Sequence, residues 1–198
     1  MGAVSPAPSM TPELRAQVMT KIIQPTLKGL TEEGIAYQGV LYAGLMLTAE
    51  GPYVLEFNAR LGDPEAQAVL PRLKTDWIDL MEAVLEHRLD RLNLEWDAAV
   101  SVCVVLASDG YPGEYRSGAE VFGLHNILVG ARHATPPPPL MVFHAGTTEN
   151  KGVSVTAGGR VLGVTALGSD YQTARASCYQ AIDKISFEGM TYRKDIGQ

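Results

Sequence analysis

Residues 100–106 read Val-Ser-Val-Cys-Val-Val-Leu, a nearly continuous apolar and β-branched run. A strand with one wet face alternates polar and apolar residues; a run without that alternation reads as a strand buried on both faces. It anchors the second half of the chain. Gly110, Pro112, Gly113 and Gly118 then punctuate a loop, and Pro136–Pro139 form a short polyproline-like connector. Residues 142–145, 153–156 and 160–167 read as short strands, with Gly158-Gly159 as a hairpin turn. Asp170 caps a last helix that turns Ala174, Cys178, Ala181, Ile182 and Ile185 inward. A strand-rich stretch closed by one helix is an α+β module.

The first half is organised differently. Gly2 to Pro8 carries two prolines and no apolar period, so it reads as a loop. Thr11-Pro12 is an N-cap followed by proline at the first helical position. Leu14, Val18, Ile22 and Leu27 follow at helical spacing, Pro25 predicts a bend or break, and Gly34 closes the segment. Residues 40–48 and 53–60 form a hairpin across a turn at 49–52. Gly62-Asp63-Pro64 opens a helical stretch through Leu73. Asp76 caps an amphipathic helix whose apolar face is Ile78, Leu80, Met81, Val84 and Leu85, with His87-Arg88 near its end. A boundary falls around 92–97.

Composition narrows the function classes. At 46% apolar and 19% charged residues, the chain is globular in make-up. Sixteen basic against twenty-two acidic residues give a net charge of −6, against a nucleic-acid scaffold. No apolar run approaches the ~20 residues of a membrane span. The opening MGAVSPAPSM has neither a basic nor an apolar leader region, so no secretory signal is expected. Cys103 and Cys178 are too few for a disulfide framework or a thiolate metal site; they fit small buried hydrophobes in a reducing cytoplasm. His87, His125, His133 and His144 lack metal-ligand spacing.

The chemistry concentrates in Leu55-Glu56-Phe57-Asn58-Ala59-Arg60-Leu61-Gly62-Asp63-Pro64-Glu65. Strand alternation sends Glu56, Asn58 and Arg60 to one face, and Leu55, Phe57 and Ala59 to the other, toward a core. Magnesium takes hard oxygen ligands, often only one or two from protein, with phosphates and waters completing the shell. Glu56 and Asn58 meet that demand, and the Arg60 guanidinium can fork onto phosphate oxygens. The wet side of an ordinary sheet carries the same alternation, and Gly-Asp-Pro-Glu is equally an ordinary turn into a helix.

Residues 56–67, Glu-Phe-Asn-Ala-Arg-Leu-Gly-Asp-Pro-Glu-Ala-Gln, resemble the signature of the phosphoribosylamine–glycine ligase family (glycinamide ribonucleotide synthetases), ATP-grasp enzymes of purine biosynthesis. The resemblance extends in order through Gly39–Leu47, Ala107–Tyr115, Phe143–Thr147, Gly158–Leu162 and Tyr192–Gly197. Met1–Pro8 resembles an internal loop in which the family usually has Tyr at the position of Val4.

The resemblance implies an α+β fold. Residues 1–95 would be the later part of an ATP-grasp catalytic domain, and 96–198 a small strand-rich C-terminal domain with a closing helix. It implies ligation of glycine to 5-phosphoribosylamine at the expense of ATP, through a glycyl phosphate. Glu56 and Asn58 would be ligands of Mg2+ or Mn2+, Arg60 would be the catalytic arginine beside the ATP phosphates, and Ser5, Pro6 and Asp63 would lie at the substrate. The partners would be small molecules, with no nucleic acid and no membrane. Arg193-Lys194 is either a contact to the substrate's phosphate or a solvated pair. The family's N-terminal domain and the ATP-grasp strands that carry the ATP-binding lysines have no counterpart in this sequence, so the resemblance implies a truncated gene product or a fragment, expected to be inactive by itself. Two other readings share these motifs: a non-catalytic remnant or half of a split enzyme, and another ATP-grasp ribonucleotide ligase or carboxylase.

Overall fold

The computed structural model of the chain describes residues 1–128 and 139–198. His133 and the polyproline connector, apart from Pro139, lie outside the described residues. The chain forms two compact units, and neither is a single stretch. The first comprises 1–6, 63–73 and 96–198, and the second 7–62 and 74–95. The boundary read around 92–97 coincides with one crossing between them.

The first unit is built on the 100–106 run. It forms β4 (Val100–Ser108), every residue of which is buried. β4 pairs antiparallel with β8 (Arg160–Gly168), which pairs in turn with β5 (Leu140–His144). On its other edge β4 receives β1 (Gly2–Ser5) and a short β9 (Met190–Thr191). Alternation along β4 sends Val102, Val104 and Leu106 into a core with Ala174, Cys178 and Ile182 of the long helix Tyr171–Ile182. That helix, α6 once α1 to α5 are placed, starts where Asp170 accepts the N–H of Thr173 at 2.7 Å. The opposite face carries Ser101 and, from β8, Thr165. Their hydroxyls donate to the carbonyls of Ala68 and Gln67, closing the end of α3 (Glu65–Val69). This two-sided cover is why β4 carries no polar period.

Two expectations for this unit are corrected. Residues 2–5 are not a loop: Gly2 pairs with Val104 as an edge strand. A Cβ on Gly2 would lie 2.4 Å from the Cys103 carbonyl oxygen, so glycine is what lets the strand close. Gly158-Gly159 is not a hairpin turn, because β7 (Val153–Thr156) pairs with β6 (Thr147–Asn150) and not with β8. The hairpin turn is Lys151-Gly152, both at positive φ (51° and 84°). Gly158 and Gly159 serve contact instead: a Cβ on Gly159 would meet Tyr111 at 2.1 Å.

In the second unit, Thr11 caps α1 (Pro12–Val18) by accepting the Leu14 N–H at 3.2 Å. The bend expected at Pro25 does not break the helix. One π turn, Met19–Ile23, leads into α2 (Gln24–Glu32), and the Gln24 N–H reaches back to Met19. Pro25 offers no N–H and its ring needs room, which the wider turn provides. β2 (Tyr42–Thr48) and β3 (Gly51–Asn58) form a two-stranded antiparallel ribbon. α4 (Trp77–Leu85) begins where Asp76 accepts the Ile78 N–H at 2.7 Å. Its apolar face is only partly covered, with Leu80 and Val84 half-buried. Ala83 is fully buried, whereas Ile78, Met81 and Leu85 are 66%, 43% and 68% exposed. The remaining helix, α5 (His125–Leu128), belongs to the first unit and is a single turn.

Candidate functional site

β3 presents Glu56 and Asn58 on one face, as alternation requires. The cross-strand register fixes their companions: Glu56 stands opposite Gly44, and Asn58 opposite Tyr42. Gly44 matters here. A Cβ at that position would lie 3.0 Å from Glu56 Cγ and 3.6 Å from Tyr42 Cε1, so a larger residue would push the carboxylate away. Glu56 is exposed and Asn58 half-buried. A carboxylate and an amide carbonyl two residues apart on an open face can supply two hard oxygen ligands to a divalent cation. Among the described residues no group of three or more His, Cys, Asp or Glu could hold a metal. Two such donors leave the rest of a cation's shell to phosphates and water.

Arg60 is placed differently. β3 ends at Asn58, so alternation does not reach it. Arg60 sits in the bend that follows, exposed, with Nη1 donating to the Leu61 carbonyl at 2.9 Å. The other face of the ribbon corrects a second expectation. Leu55 and Phe57, expected to face a core, are 64% and 43% exposed. A bulge between Gly44 and Leu45 leaves Leu55 as the extra residue, and the two-stranded ribbon has no further strand of its own.

The residues expected at the substrate belong to the first unit. Ser5 ends β1, buried, and its hydroxyl accepts from Arg72 Nη1 at 2.7 Å. Arg72 Nε also donates to the Ala99 carbonyl at 2.6 Å, which ties three chain segments together. Pro6 is exposed, and its carbonyl accepts from the Tyr171 hydroxyl at 2.7 Å. Asp63 is heavily engaged. Gln67 Nε2 donates to its Oδ1 at 2.9 Å, and Arg160 Nη2 lies 3.0 Å from its Oδ2. Arg160 Nη1 donates to its main-chain carbonyl at 2.6 Å. Sequence reading missed Arg72, Gln67 and Arg160 as partners. Only the position of Arg160 directly after Gly158-Gly159 hinted at a close-packed neighbourhood.

Both cysteines are buried, as expected. Burial pushes the Cys103 thiol up to about 11 and the Cys178 thiol up to about 12. Arg193 forms a two-pronged pair with Asp195, so the C-terminal basic pair is half neutralised. No helix of the described residues is long and apolar enough to cross a membrane.

Comparison with known proteins separates the readings. Residues 1–66 match the phosphoribosylglycinamide synthetase ATP-grasp (A) domain, and 101–198 the phosphoribosylglycinamide synthetase C domain. The chain is 51% identical over 196 residues to phosphoribosylamine–glycine ligase of Caldanaerobacter subterraneus, covering 99% of this chain and 45% of that one. It is 47% identical over 198 residues to the trifunctional purine biosynthetic protein adenosine-3 of Gallus gallus, covering 100% of this chain and 19% of that one. Among solved structures, phosphoribosylamine–glycine ligase of Thermotoga maritima superposes with a TM-score of 0.80 at 33% identity, covering 98% of this chain and 46% of that one. The biotin carboxylase domain of Hydrogenobacter thermophilus 2-oxoglutarate carboxylase superposes at 0.63 with 15% identity, covering 97% of this chain and 40% of that one, a likeness of fold alone. The chain thus spans about 45% of the single-function ligases it matches.

Proposed function

Because the chain belongs to the phosphoribosylglycinamide synthetase family, we propose that it carries the metal-binding end of the ATP-grasp domain and the C domain of a phosphoribosylamine–glycine ligase. In these terms residues 1–95 are the later part of the ATP-grasp domain and 96–198 the C domain. The carrying observation is the shared open face of Glu56 and Asn58, kept clear by Gly44 opposite.

Glu56 and Asn58 would hold a magnesium or manganese ion on the ATP phosphates. The ion supplies charge neutralisation to the phosphate oxygens. Arg60, freed from the Leu61 carbonyl, forks onto the transferring phosphoryl group and spreads its charge. A glycine carboxylate oxygen attacks the γ-phosphorus, the bond to ADP breaks, and glycyl phosphate forms. The amine of phosphoribosylamine then attacks the glycyl carbonyl carbon; phosphate leaves, and the nitrogen loses a proton as the amide forms. Phosphorylation provides the leaving group, so no nucleophilic side chain is required. Ser5 and Pro6 would help to form the substrate pocket through their backbone, since the Ser5 hydroxyl is already held by Arg72. The two reduced thiols suit a cytoplasmic enzyme.

Activity requires the remainder of the enzyme. The test is ADP release dependent on glycine and phosphoribosylamine, measured on the chain alone and after mixing with the upstream portion of the Caldanaerobacter ligase. The expected result is no turnover alone and turnover on mixing. Turnover by the chain alone, or a mixture unaffected by Glu56→Gln with Asn58→Ala, overturns the reading.

A further inference from the structure

We propose that Arg72 is a positioning residue: it locks Ser5, the last residue of β1, and so fixes where the Ser5-Pro6 pair stands. The inference rests on the reading of Ser5 and Pro6 as part of the substrate pocket, and its test separates the lock from that reading.

Every group involved lies in the first unit. Ser5 stands opposite Ser101 in the ladder of β1 and β4. The Val105 N–H donates to the Met1 carbonyl at 3.0 Å. Antiparallel pairs alternate between bonded and non-bonded, so Ser5 and Ser101 form a bonded pair. Their side chains share one sheet face, where the Ser101 hydroxyl meets the Ala68 carbonyl of α3. A single 3₁₀ turn, Leu70–Arg72, follows α3 and delivers Arg72 to that face.

There the guanidinium donates from all three nitrogens. Nη1 reaches the Ser5 hydroxyl at 2.7 Å, Nε the Ala99 carbonyl at 2.6 Å, and Nη2 the Asp97 carbonyl at 3.2 Å. The Arg72 carbonyl accepts the Asp97 N–H at 2.7 Å. Arg72 thus bonds to both of the other stretches of chain that build its unit. A planar fork can span these three oxygens; an ammonium is one point charge and cannot.

Ser5 and Pro6 have their polar groups engaged. The Ser5 hydroxyl is held by Arg72 and its main chain by Ser101. The Pro6 carbonyl accepts from the Tyr171 hydroxyl at 2.7 Å, and proline has no N–H. What the pair offers a ligand is a fixed surface, the exposed Pro6 ring. Displacing such a surface weakens ground state and transition state alike, so it raises KM and leaves kcat.

The experiment measures amide hydrogen exchange at Ser5 relative to Val104 of the buried β4 in the 198-residue chain, for wild type, Arg72→Lys and Ser5→Ala. Expected in both variants is a Ser5 amide that exchanges about tenfold faster relative to Val104, the scale of one lost hydrogen bond from a charged donor. An unchanged ratio in either variant overturns the proposal. Should the lysine variant not fold, Ser5→Ala, which removes only the acceptor, decides. In the ligase reconstituted with the upstream portion of the Caldanaerobacter enzyme, Arg72→Lys raises the KM for glycine or phosphoribosylamine about tenfold, with kcat and the KM for ATP within about twofold of wild type. Adding Ser5→Ala to Arg72→Lys raises that KM no further, because Arg72 acts through Ser5; additive rises overturn the proposal. A faster Ser5 amide with both KM values unmoved leaves the lock standing and overturns the assignment of Ser5 and Pro6 to the substrate.

Discussion

β4 and β3 are both strands rich in apolar residues, yet they end in opposite situations. β4 is buried along its whole length, with α6 on one face and α3 on the other. β3 has five consecutive exposed residues, Tyr53 to Phe57, including Leu55 at 64%. Apolar content therefore does not decide burial; the neighbours available to cover each face do. β4 is completed by segments this chain contains. The ribbon of β2 and β3 relies on one partner strand, and a two-stranded ribbon is marginal alone.

The difference can be tested by substitution. The largest effect expected is on function at the exposed ribbon. In the reconstituted ligase, Glu56→Gln with Asn58→Ala should lower kcat by about 10²-fold or more, while the melting temperature of the chain stays within about 2 °C, the change expected for exposed sites. A large drop in melting temperature would show that the ribbon polar pair is structural.

Next comes stability. Leu106→Ala in β4 should cost about 2–5 kcal/mol, and Leu55→Ala within about 0.5 kcal/mol, both by urea denaturation. Equal costs would erase the contrast. Glycines sharpen it further. Gly159→Ala drives a methyl into the Tyr111 ring and should cost about 1–3 kcal/mol. Gly44→Ala presses most closely on the flexible Glu56 stem, at 3.0 Å, so it should leave stability nearly unchanged while lowering kcat several-fold by displacing the carboxylate.

A further contrast is in alkali. Both thiols are raised in the folded chain, Cys103 to about 11 and Cys178 to about 12. The folded state keeps protons that the unfolded state releases above its ordinary thiol value, so their contribution is complete below about pH 9 and is lost as pH rises through 11 to 12. Cys103→Ser/Cys178→Ser should flatten that part of the stability profile. An unchanged slope would show that other groups govern it.

Much of the first unit was legible because its signals are strong and self-consistent. The β4 run, the Asp170 cap and the inward set of α6 each point to a single outcome. What escaped was short or glycine-driven. β1 and β9 have too few residues to show a period, and they exist because an edge of β4 is open to them. Lys151-Gly152 was hidden as a turn because lysine at positive φ is unusual. On the ribbon, the shared face of Glu56 and Asn58 was legible from strand alternation, and the placement of Arg60 was not, since β3 stops before it. The stripe of Ile78, Met81 and Leu85 misled because periodicity tells which residues share a helix face, not whether a neighbour exists to bury it.

The first unit is assembled from three separated stretches of chain. A nick or expression boundary placed at residue 96 would yield a piece deprived of its edge strand β1 and of the helix that takes up the Ser101 and Thr165 hydroxyls. The partner of β1 lies nearly a hundred residues further along, so Gly2 to Ser5 gain their backbone hydrogen bonds only once residues 101–104 have been made.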